Sequence, residues 1–161
     1  MSRTTKIKRV ALAADYLPRQ CGIATFTHDL RAGLVEAFPQ TDFVVAAVND
    51  IDGGYSYPDE VRFEWSEPDV DSYRRAADFI NFSNSDVVSL QHEYGIYGGA
   101  AGSHVLSLIR DLRRPVVTTL HTILSEPSPA QRRVMTEVAG HRISRTKTLN
   151  PLEHDKRRAD G

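Results

Sequence analysis

Five short apolar runs, interleaved with segments whose apolar residues recur every three or four positions, constrain this chain more than any other feature. The runs cover residues 7–14, 43–48, 61–65, 86–90 and 115–120, each read as a strand, and the near-continuous apolar character of 7–14 predicts a strand buried on both faces. Between and after them, Ile23, Phe26, Leu30 and Leu34 form one helical stripe, and Val70, Tyr73, Ala77 and Ile80 a second. Val105, Leu108, Ile109 and Leu112 make a third, and Val134, Met135 and Val138 a fourth. Strands alternating with helices predict an α/β fold, a Rossmann-like doubly wound parallel sheet with strand order 3-2-1-4-5.

Local signals place the ends of these elements. Asp69 is an N-cap residue for the second helix, and Ser128, Pro129 and Gln131 match a capping box with proline in the first turn, predicting a helix from 129 to about 138. Arg113 and Arg114 suit the negative end of the third helix. The polar stretch DIDGGYSYPDE, between the second and third strands, reads as a surface loop able to carry specificity.

From His141 the pattern stops. HRISRTKTLNPLEHDKRRADG is rich in Arg and Lys and supplies no sixth strand. The expected organisation is one domain over 1–140 and a basic, polar, disordered tail over 141–161. The sheet is then incomplete at its C-terminal edge, where a partner chain would find an open strand.

Composition closes several functional classes. A net charge of −1 provides no basic field, so nucleic acid and anionic membranes are not expected partners. No apolar run approaches the roughly 18 residues of a membrane span. The lone Cys21 cannot form an internal disulfide, which fits a reducing compartment, and a cytoplasmic location is expected.

Candidate chemistry gathers at strand ends. His92 and His121 follow the fourth and fifth runs, and parallel strands would bring both to the carboxyl edge, where open α/β sheets bind ligands. The loop QHEYGIYGGAAG adds Glu93 and four glycines, a composition suited to close approach of a ligand, with His92 and Glu93 able to bond hydroxyls. Gly22 stands at the start of the first helix, where free N–H groups favour phosphate or carboxylate, but the segment matches neither a dinucleotide nor a P-loop motif. Gly22 is alternatively a tight-turn residue, His92 a local backbone cap, and Cys21 a structural thiol. A zinc-protease motif fails, because Ile96 occupies the position of its second histidine.

Together CGIATFTHDL, VVSLQHEYGIYGG, PVVTTLHT and EPSPAQRRVM resemble the amino-terminal half of bacterial family 4, or group 1, glycosyltransferases of the GT-B fold, over about residues 9–139. The resemblance implies two Rossmann-like domains facing a cleft and transfer of a sugar from a nucleotide-sugar donor, with retention, to a sugar or lipid-linked acceptor. It implies no metal and no other cofactor. This half would mainly hold the acceptor, with Gly22 facing the donor diphosphate and His121, as the catalytic-site histidine, lying beside the transferred sugar. Many members carry another glycine where Cys21 stands. The family's second domain and its glutamate-rich motif lie outside this sequence, so the chain is expected to be inactive alone, as a truncated or frameshifted half. Two rivals are a non-catalytic α/β binding or assembly module completed by a partner chain, and a metal-dependent hydrolase built on His92, Glu93 and His121.

Overall fold

In a computed structural model, which describes residues 6–141, five parallel strands form one sheet in the order β3-β2-β1-β4-β5. They are β1 (Arg9–Ala14), β2 (Asp42–Asn49), β3 (Val61–Ser66), β4 (Val87–His92) and β5 (Val116–Leu120). The helices are α1 (Gly22–Ala37), α2 (Val70–Phe82), α3 (Val105–Asp111) and α4 (Pro129–Gly140). This is the doubly wound α/β architecture that the alternation of strand and helix signals predicts. The expected disordered tail lies outside the described residues, apart from His141.

The faces of the sheet are covered unequally. On one, Ala11, Ala13, Val44, Ala46, Val48, Val88 and Leu90 pack beneath Tyr73, Ala77 and Ile80 of α2, Leu108 and Ile109 of α3, and Val134 and Val138 of α4. On the other, Leu12, Phe43, Val45 and Ala47 meet α1 through Leu30 and Leu34. Beside α1 an apolar groove of about 710 Å³, lined in part by Val10, Leu34, Phe38, Phe43, Val87 and Val117, remains open. Val117 on the edge strand β5 is 60% exposed.

The caps form as their residues predict. The Asp69 side chain accepts from the Asp71 amide, and Ser128 and Gln131 complete both bonds of the capping box. Several expectations are corrected. Phe26 is 42% exposed instead of buried beneath α1, and Val70 points to solvent because it opens the first turn of α2, ahead of the packed face. Arg113 and Arg114 lie beyond α3. There the Arg113 amide and the Arg114 guanidinium donate to the side chain and backbone carbonyls of Asn81, whose Nδ2 in turn donates to Asp111 O. At the same end of the sheet, Asp86 accepts from the amides of Lys8 and Arg9, tying the entry of β1 to the entry of β4.

Candidate functional site

The carboxyl ends of the strands carry a dense set of polar side chains. After β1 come Asp15, fully buried, and Arg19, nearly so. The Arg19 Nε lies 3.5 Å from Asp15 and 3.5 Å from Asp50, and its Nη2 lies 3.6 Å from Glu67. One guanidinium therefore sits among three carboxylates that follow β1, β2 and β3. Burial pushes the Asp15 carboxyl above its usual range, against the Cys21 thiol and Arg19, which pull it down. Sequence reasoning missed this cluster. Its signal was the charged residue that follows each of these strands.

Cys21 is the N-cap of α1, and its side chain makes no capping bond. Burial first, and then Asp15, raise the thiol pKa, although the amides of Ile23 and Ala24 act the other way. That keeps the sulfur protonated, which suits the structural reading of Cys21. Gly22 opens α1 with free space beside it. A Cβ at Gly22 meets nothing within 4 Å, so no described neighbour requires glycine here.

The glycine-rich loop after β4 is held by its own packing. It forms two short 3-10 turns, Tyr94–Ile96 and Ala100–Gly102. The Gly98 amide donates to the Tyr73 hydroxyl, which donates to Glu67 O, and a Cβ at Gly98 would strike that same carbonyl. Gly102 has φ +73°, where a side chain is strained. Internal contacts thus explain these two glycines, where the sequence suggested approach of a ligand.

The structure brings His92, Glu93 and His121 to one edge, since β4 and β5 are neighbours and His92 pairs with Leu120. Each has a different environment. His92 turns toward the thickly covered face, fully buried, with its ring 5.1 Å from that of Tyr94 and 6.4 Å from that of Tyr97. Among the described residues, neither of its ring nitrogens has a hydrogen-bond partner. Burial holds its pKa below the usual histidine value, with Glu93 opposing and His121 reinforcing the shift. Glu93 is committed to bonds within the chain: one oxygen accepts from the Tyr94 amide at 2.9 Å, the other from the Thr122 hydroxyl. It ties the loop after β4 to the end of β5.

His121 turns toward the α1 face and is partly exposed. Its amide donates to His92 O, and its Nε2 lies 2.9 Å from Gln91 Oε1. Phe26 stands edge-on to the ring with centroids 4.7 Å apart. The outward turn of Phe26 thus puts the second turn of α1 against His121. A partly exposed imidazole next to a helix start can bond hydroxyls on one side and receive an anion on the other. Among the described residues, no group of three or more His, Cys, Asp or Glu side chains is placed to hold a metal ion.

No protein-family model matches the chain, and no curated protein matches it. Among solved structures it resembles an alpha-glucosyltransferase in complex with UDP and a 13-mer DNA containing a HMU base. The identity is 14%, over 70% of this chain and 30% of that one, with a TM-score of 0.47. A second such structure, an alpha-glucosyltransferase with UDP and a 13-mer DNA containing a central A:G mismatch, gives 13% identity over 71% and 30%, with a TM-score of 0.46. Homoserine dehydrogenase of S. aureus at pH 7.0 gives 11% over 83% and 30%, with a TM-score of 0.39. The chain spans about 30% of the length of each. Likeness at this level separates neither a glycosyltransferase from a dehydrogenase nor one substrate from another.

Proposed function

We propose that this chain is the acceptor-side half of a retaining GT-B glycosyltransferase of the group 1 type, which moves a sugar from a nucleotide-sugar donor to a sugar or lipid-linked acceptor. The observation that carries the reading is the contact of Phe26 with His121, which joins the start of α1 to the end of β5 at the carboxyl edge. One ligand spanning the two would place its diphosphate at Gly22 and the first amides of α1, and its transferred sugar at His121. The four motif segments that resemble the family supply the rest of the support. His92 and Glu93 shape the wall beside the acceptor: Glu93 by fixing the loop after β4 to Thr122, and His92 by filling the space beneath that loop.

In this reading the chain alone does not turn over, because the transition-state charge needs both walls of a cleft. The test is to translate the DNA downstream of the codon for Ser128 in all three frames. A second α/β domain with a glutamate-rich motif is expected, and the protein it restores should transfer a sugar with retention. His121→Ala should lower that turnover by about 10²-fold or more. Sugar transfer by the purified 161-residue chain would overturn the statement that it is inactive alone.

A second reading has its own observation. The groove beside α1 and the exposed Val117 leave apolar surface on one face of the sheet, as a binding module completed by a partner chain would. A co-purifying partner that covers Val117 would favour it, and a clean monomer counts against it.

A further inference from the structure

Gln91 is the penultimate residue of β4 and is fully buried. A buried amide costs stability unless its groups are bonded. Here both ends are: Oε1 faces His121 Nε2 at 2.9 Å, and Nε2 donates to Ser89 Oγ at 3.1 Å. With the amide oxygen against the imidazole, His121 Nε2 carries a proton and donates it. The reversed amide would serve the neutral ring alone, whereas this orientation keeps its bond in both the neutral and the charged ring. Phe26 fixes the plane of the imidazole, its own ring standing at 83° to it. Among the described residues no group bonds to Nδ1 of His121.

We propose that Gln91 is a positioning residue for His121. It holds the Nε2–H tautomer, so that Nδ1 is the single acceptor of the neutral ring. The ligand group that the neutral ring meets is then a hydrogen-bond donor, a hydroxyl or an amino group, and not a phosphate oxygen. The choice of ligand group rests on the sugar-handling reading above, whereas the tautomer does not.

Long-range ¹H–¹⁵N spectra of the full chain test this directly, with the His121 signals identified by their loss in His121→Gln. The expected pattern in the neutral ring is a protonated, pyrrole-like Nε2 and a bare, pyridine-like Nδ1, and the reverse pattern would overturn the proposal. Gln91→Glu keeps an acceptor against Nε2–H and should preserve the wild-type pattern in the neutral ring. The reverse pattern in this variant would count against the proposal. Gln91→Met should let the two tautomers mix, and retention of the wild-type pattern would show that Gln91 does not hold the ring. If either variant fails to fold, the wild-type spectrum still decides. A reversed tautomer removes the role of Gln91 alone. Absence of sugar transfer by the restored enzyme, with the tautomer intact, removes the glycosyltransferase reading alone.

Discussion

The two faces of the sheet are built from the same five strands, yet one is finished and the other is half covered. Under α2, α3 and α4 the strands present Ala11, Ala13, Ala46, Val48 and Leu90, all inaccessible to solvent. On the α1 side the core is Leu12, Tyr16, Phe43, Val45 and Ala47, and beyond it the surface opens into the groove beside Phe38 and Val117. A parallel sheet normally has both faces covered. The larger core therefore lies in one layer, and in the opposite layer substitution is cheap only beyond Leu12, Tyr16, Phe43, Val45 and Ala47, where the groove leaves another surface room to pack.

The sharpest way to break the comparison is to cut into each face in turn. Leu108→Ala, under the covered face, should cost about 2–5 kcal/mol in denaturant unfolding. Tyr73→Phe removes a hydroxyl that both donates to Glu67 O and accepts from the Gly98 amide, and should cost about 1–3 kcal/mol by the same measurement. Ser128→Ala unmakes the capping box of α4, the last helix on that face, for about 1 kcal/mol.

A smaller effect is confined to acid. Burial keeps the folded pKa of His92 below its ordinary value of 6.5. As pH falls through 6.5 the unfolded chain takes up a proton that the folded chain resists, so stability drops until the folded value is passed. His92→Leu should flatten that part of the stability profile, and an unchanged slope would show that His92 is not the group responsible. The smallest effect belongs to the open face. Val117→Thr should change stability by no more than about 0.5 kcal/mol, and a loss as large as that of Leu108→Ala would mean that the open face is covered after all.

Strand order, the cap at Asp69 and the box at Ser128 and Gln131 were legible in the sequence, because each depends on local pattern or on handedness rules that admit few alternatives. The faces of the site were not. His92 ends β4, His121 follows β5, and the two share an edge, as their spacing predicted, but the sequence does not say which face each side chain takes where a strand stops. One is sealed beside Tyr97 and the other stands against Phe26. Phe26 itself fits the helical stripe of α1, and tertiary packing alone turned it to the histidine. Gln91 lies just past the fourth apolar run, where the pattern reads as loop, and only the extension of β4 to His92 buries its amide and calls for the partners it finds in Ser89 and His121.

The tie between Asp86 and the amides of Lys8 and Arg9 has a consequence during synthesis. The central strand β1 leaves the ribosome early, but one of its neighbours, β4, begins only at Val87. At about 5–20 residues per second, the 77 residues between Val10 and its register partner Val87 take roughly 4–15 s to appear. For that interval the most apolar strand of the chain has a bare edge. A nascent-chain chaperone with affinity for extended apolar segments would find residues 9–14 open until Asp86 arrives to close them.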